Sequence, residues 1–264
     1  MPVTIPPHQG NFSNFPCPAR DPAHPAAMKR MLALFLAILP SCGLLPRSTP
    51  VPVKTLQSGN PHGAELVVFL PGRWSRVEEF EREGVFEIAR KRWPDACLVA
   101  PDLHLGYYQN RSIARRLHDD VILPARRGGV KKVTIVGISM GGLGALIYDS
   151  EYPGQVDRII LLSPFLGEET ALKEIESAGG LENWRPGPVA ESDFSRKLWL
   201  NLRKDRLEKA NGPPILLGCG NEDRLASSSR LFAREFIKPG DQQWITGTHD
   251  WPTWRILFEK LISR

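Results

Sequence analysis

Near the middle of the chain, Gly137-Ile138-Ser139-Met140-Gly141-Gly142 sets a serine among small neighbours. A serine hydroxyl is a poor nucleophile until an adjacent base takes its proton. The pattern G-x-S-x-G alone is a weak signal. Its setting strengthens it, because the apolar run Lys131–Ile138 reads as a buried strand and Met140–Tyr152 as a helix. A serine on a sharp strand-to-helix turn has its side chain pushed into the open, and the crowding there demands glycines on either side. A bland Gly-rich turn would share the pattern but would need no base. The candidate bases are His8, His24, His62, His104, His118 and His249, of which only His249 follows Ser139.

The elements needed to hold such a turn are legible around it. Glu65–Leu70 (ELVVFL) reads as a buried strand ending at Pro71-Gly72, and Cys97–Ala100 as a second, closed by Pro101. Lys131–Ile138, Arg158–Leu162, Pro214–Cys219 and Gln243–Thr246 complete the set. Helical patterns lie between them: Val77–Trp93, with acids early and bases late, Ser112–Arg127, Met140–Tyr152, Ser228–Ile237 and Trp251–Ile262. Strands apolar on both faces and alternating with helices predict an α/β fold with a doubly wound, mostly parallel sheet. Residues 165–212 break the rhythm with about two helical patterns and no strand. An insertion of that length is expected to be a helical cap over a site rather than a structureless loop.

With these elements in place, the chain resembles the α/β-hydrolase superfamily over roughly residues 64–262, and most specifically at 137–142, 220–224 and 247–251. The resemblance implies a triad in the chain order serine, acid, histidine. It makes Ser139 the nucleophile and His249 the base, in a Gly247-Thr248-His249-Asp250-Trp251 stretch similar to the histidine loop of several bacterial esterases. It also puts the acid after the strand that ends Leu217-Gly218-Cys219-Gly220, where Asp223 matches and Glu222 competes. An oxyanion hole needs two preplaced N–H donors. By the same resemblance these are the backbone N–H groups of Met140 and of Arg73, the latter in Leu70-Pro71-Gly72-Arg73-Trp74. The implied chemistry is acyl transfer through an acyl-enzyme on a small-molecule carboxylic ester of small to medium acyl chain. The same site would serve a thioesterase or acyltransferase, and a non-catalytic envelope lipoprotein is the reading from another class. No metal and no cofactor motif is expected.

Gly72, Trp74, His104 and Tyr107 are candidates for the substrate pocket, with Tyr108 beside them, because ligands bind at the carboxyl edge of open α/β sheets. As ordinary loop packing they need no such role. Arg196–Lys209 reads as a basic amphipathic helix that could roof the pocket, rest on anionic lipid or simply pack.

The remaining signals are coarser. The net charge of +5 over 264 residues is too mild to argue for nucleic acid. Cys97 and Cys219 lie in buried runs and are expected to be thiols, although sequence leaves a disulfide open. Residues 1–60 are expected to lie outside the fold, and 61–264 to form the hydrolase domain. Met28-Lys29-Arg30 followed by the apolar Met31–Leu39 has the layout of a secretory signal peptide, which makes Met28 the expected true start. Leu39-Pro40-Ser41-Cys42 resembles a bacterial lipobox, with Cys42 the acylated residue and a possible membrane anchor. Residues 43–60 read as a linker. The expected location is the bacterial cell envelope, or the cytoplasm if the segment is not a signal.

Overall fold

A computed structural model describes residues 53–56, 64–209 and 212–263. The strands are β1 (Val53–Leu56), β2 (Glu65–Leu70), β3 (Cys97–Pro101), β4 (Lys132–Ile138), β5 (Arg158–Leu162), β6 (Ile215–Gly220) and β7 (Gln242–Ile245). They form a seven-stranded sheet in the order β1-β3-β2-β4-β5-β6-β7. All neighbours pair in parallel except β1, which runs antiparallel to β3 with Val53 opposite Pro101. The expected linker at 43–60 is therefore corrected at 53–56, where four residues form an edge strand. The expectations for the signal-like segment, Met28 and Cys42 lie outside the described residues.

The inner strands β2 to β6 are mostly apolar and buried because helices cover both faces of the sheet. Leu66, Val68 and Leu70 of β2 pack into one core and Val67 and Phe69 into the other, as the two-residue period of a strand requires. Phe69 anchors the second core. It packs on Phe80, Phe86 and Phe258 with ring centroids 5.4, 4.9 and 5.9 Å away, and its burial contributes about 1.5–3 kcal/mol.

The helices are α1 (Glu79–Arg82), α2 (Val85–Arg92), α3 (Leu105–Gln109), α4 (Ile113–Leu117), α5 (Leu123–Arg127), α6 (Met140–Glu151), α7 (Glu169–Ser177), α8 (Phe194–Leu202), α9 (Ala226–Phe236) and α10 (Trp251–Ile262). The single helix predicted over Val77–Trp93 is divided in two at Gly84, whose φ of 75° lies in the left-handed region. The helix predicted over Ser112–Arg127 is helical throughout, but a π-turn at His118–Ile122 joins α4 to α5. Residues 105–109, read as loop, form the short α3.

Between 165 and 212 the described residues hold α7, α8 and a π-helical extension, Arg203–Glu208, and no strand. This cap is tied to the body at several points. Trp199 donates from Nε1 to the Leu166 carbonyl at 2.8 Å, and its ring lies near Phe232 and Phe236 of α9. Arg206 reaches Asp149 of α6 at 2.6 Å. The basic face of 196–209 is largely matched by carboxylates: Arg196 meets Glu174 and Asp193, Lys197 meets Glu191, and Lys209 meets Asp205. Internal pairing of this kind favours a packed cap over a helix held for anionic lipid.

Cys97 and Cys219 are buried thiols. Three strands lie between β3 and β6, so the two are separated by about 19 Å, far beyond disulfide reach. Burial pushes the Cys219 thiol up to about 11.

Candidate active site

Ser139 sits between β4 and α6 with φ 51° and ψ −114°. A non-glycine residue there is strained by about 1–3 kcal/mol and persists only where its surroundings hold it. The holding contacts are three backbone hydrogen bonds. Ser139 N–H donates to Leu162 at 3.0 Å, and its carbonyl accepts from Gly142 at 3.0 Å and from Phe165 at 2.8 Å. Close packing explains the glycine two residues on. A Cβ on Gly141 would stand 2.1 Å from the Leu70 carbonyl oxygen of β2, so only glycine lets α6 begin there.

His249 follows β7 in a turn fixed by local bonds. Asp250 caps α10 by accepting from Thr253 N–H at 3.0 Å, and Thr248 donates from its hydroxyl to Asp250 at 2.7 Å. The Trp254 ring stands perpendicular to the imidazole, with centroids 4.9 Å apart. Asp223 follows β6, and its loop is laced to the histidine loop: Asn221 N–H donates to Ile245 at 2.8 Å and Glu222 N–H to Gly247 at 3.1 Å.

Tertiary structure brings the three side chains into one hydrogen-bond chain. His249 Nε2 lies 3.0 Å from Ser139 Oγ, and Nδ1 lies 2.9 and 2.8 Å from the two Asp223 oxygens. A carboxylate only accepts, so Nδ1 carries the proton and Nε2 is left with its lone pair facing the serine hydroxyl. Burial by itself raises the Asp223 carboxyl. The bonds from His249 and from Leu225 N–H at 2.8 Å outweigh it and hold the group below the ordinary range. Glu222 is exposed and outside this chain.

The two expected oxyanion donors flank the serine. Met140 is the first residue of α6, and the first N–H groups of a helix have no intrahelical partner. Gly72 lies against the nucleophile: a Cβ on it would stand 3.6 Å from Ser139 Cβ. That contact brings the loop carrying Arg73 to the serine.

Ser139 opens into a cleft of about 770 Å³ between α6 and α8. Its walls include Leu143 and Ile147 from α6, Phe165, and Phe194 and Leu198 from the cap. Arg73, expected as an oxyanion donor, lines it, whereas Gly72, expected in the pocket, does not. Tyr107 is corrected: it is wholly buried in the core, and Tyr108 lines the cleft instead, donating its hydroxyl to the Met140 carbonyl at 3.0 Å. His104 caps α3, its Nδ1 accepting from Gly106 N–H at 3.1 Å. Trp74 is 68% exposed and stands outside the lining. Arg224, also in the lining, was not singled out in the sequence, although it directly follows Asp223.

Similarity to known proteins agrees with this geometry. No curated protein matches the chain by sequence. Solved structures share the fold. The S-formylglutathione hydrolase FrmB of Staphylococcus aureus is similar at 18% identity and a TM-score of 0.53, over 84% of this chain and 98% of that one. A ferulic acid esterase is similar at 17% and 0.55, over 81% and 96%. A metagenome-derived lipolytic enzyme is similar at 14% and 0.52, over 83% and 98%. At such identities the likeness speaks for the fold. Residues 111–262, more than half of the chain, match the Esterase family. The chain belongs to the Esterase family and is a serine hydrolase of the α/β-hydrolase fold.

Proposed function

We propose that the protein hydrolyses carboxylic esters of small to medium acyl chain through Ser139, His249 and Asp223. The observation that carries this reading is the unbroken hydrogen-bond chain from Ser139 Oγ through His249 to Asp223. His249 takes the serine proton as Ser139 attacks the ester carbonyl carbon. The tetrahedral oxyanion is received by the N–H groups of Met140 and Arg73, donors whose orientation is set before the reaction begins. His249 then protonates the departing alcohol, and water repeats the sequence on the acyl-enzyme. Asp223 keeps the imidazole in the required tautomer and stabilises it once charged. The acyl chain lies against Leu143, Ile147 and Leu198 beneath the cap. The cleft volume falls within the range usual for small-molecule sites.

The test is a series of p-nitrophenyl esters from acetate to palmitate, assayed with wild type and Ser139→Ala. Hydrolysis that disappears in the variant, with a maximum at short or medium chains, is the expected result. Equal inertness of the two proteins towards esters, together with no labelling by a fluorophosphonate, would overturn the reading. Activity confined to thioesters would move the reaction to that class.

A further inference from the structure

The charges lining the cleft are not distributed evenly between paired and unpaired. Towards the cap, Arg111 and Lys197 both contact Glu191. At the far end of α6, Arg206 is held by Asp149. The two remaining lining cations, Arg73 and Arg224, have no carboxylate partner among the described residues. Arg73 follows β2 and Arg224 follows β6, while Ser139 follows β4, which lies between those strands in the sheet. The two arginines therefore straddle the serine along the carboxyl edge, on strands about 14 Å apart. Both side chains are exposed where they line the cleft, one on each side of the serine. Arg73 is further steadied by Trp74, whose ring its guanidinium overlies at 5.1 Å. The lining carboxylates without a cation, Glu168 and Glu151, stand on the cap and at the distal end of α6, not on the two loops beside the serine.

We infer that Arg73 and Arg224 form an anion-recognition pair, so that the preferred substrate is an ester bearing a carboxylate or phosphate within a few bonds of the scissile carbonyl. The inference rests on the esterase reading above and narrows its substrate class. Guanidinium groups bind such oxyanions through charge-assisted, often bidentate hydrogen bonds. Both arginines are exposed, so their attraction for an anion is weakened by salt.

The experiment compares matched pairs of esters. The butanoate ester of glycolic acid against that of glycolamide places the charge on the alcohol. Ethyl hydrogen glutarate against ethyl glutaramate places it on the acyl group. Wild type should favour the anionic member of at least one pair by about tenfold in kcat/KM, a difference of about 1.4 kcal/mol, and the pair that responds tells which side of the ester carries the charge. The ratio should shrink as salt rises, collapse in Arg224→Gln and reverse in Arg224→Glu. It should persist in Arg76→Gln, which alters an exposed arginine of the β2 loop outside the cleft. A ratio near one in both pairs, or one that survives Arg224→Gln and Arg73→Gln alike, would overturn the inference while leaving the esterase reading standing. No hydrolysis of any member, with Ser139→Ala indistinguishable from wild type, would remove the esterase reading and this inference together.

Discussion

His249 Nδ1 meets both carboxylate oxygens of Asp223, at 2.9 and 2.8 Å, while the adjacent Glu222 is exposed and lies outside the chain. The two acids that sequence leaves in competition are thus separated by one residue of backbone rotation. Asp223→Asn presents an amide that can donate towards Nδ1 and so favours the wrong imidazole tautomer. Its kcat for ester hydrolysis should fall by about 10⁴-fold, whereas Glu222→Gln should stay within about twofold. Steady-state assays on one p-nitrophenyl ester separate the two.

Asp223 also gives stability a pH dependence. Its folded pKa is depressed below the unfolded value of about 3.9. Between those values the unfolded chain binds the proton that the native carboxylate refuses, so stability rises with pH there. The contribution is fully present above the unfolded pKa and is lost as pH falls through the folded one. Thermal unfolding of wild type and Asp223→Asn should therefore show a gap that is present at about pH 5 and closes below about pH 4. A gap independent of pH would contradict the depressed carboxyl.

The strained φ of 51° at Ser139 separates function from stability. Ser139→Gly relieves the left-handed conformation, and Ser139→Ala does not. Both should be inactive, with kcat reduced by about 10⁶-fold. The glycine variant should nevertheless be more stable than the alanine variant by about 1 kcal/mol in urea unfolding.

Gly220 governs how the acid loop meets the histidine loop. A Cβ there would stand 2.2 Å from the Gly247 carbonyl oxygen, and backbone cannot yield as a side chain can. Gly220→Ala should cost about 1–3 kcal/mol of stability and lower kcat at least 100-fold by displacing the two loops, because misplacement by about 1 Å has that effect. Near-native activity would show that the loops can separate without moving the triad.

The Asp149–Arg206 pair joins α6 to the cap with both side chains mostly buried. Burial raises the Asp149 carboxyl despite the opposing pull of Arg206, and burial lowers Arg206 against the pull of Asp149. The two shifts agree that removal from water dominates. Arg206→Met leaves a buried carboxylate unpaired and should destabilise the protein by about 3 kcal/mol. The double variant Asp149→Leu/Arg206→Met should recover most of that loss. Denaturant unfolding of the three proteins measures the difference.

The sequence by itself determined what is local or forced by covalent order. The apolar runs of β2 through β6 mark strands covered on both faces. The glycines about Ser139 announce a turn that other residues could not enter, and His249 is the only histidine beyond the serine. Contacts distant along the chain were decided only by tertiary structure. Tyr107 and Tyr108 are chemically alike in sequence, yet successive helix positions point about 100° apart, so one enters the core and the other the cleft. The basic run 196–209 resembles a lipid-facing surface until Glu174 and Asp149 fold against it from 22 and 57 residues away. Val53–Leu56 has too little pattern to be read alone and becomes a strand because β3 offers an open edge. The cleft flanked by Arg73 and Arg224 belongs to no segment, because it exists only once the sheet order sets β2 and β6 on either side of the serine.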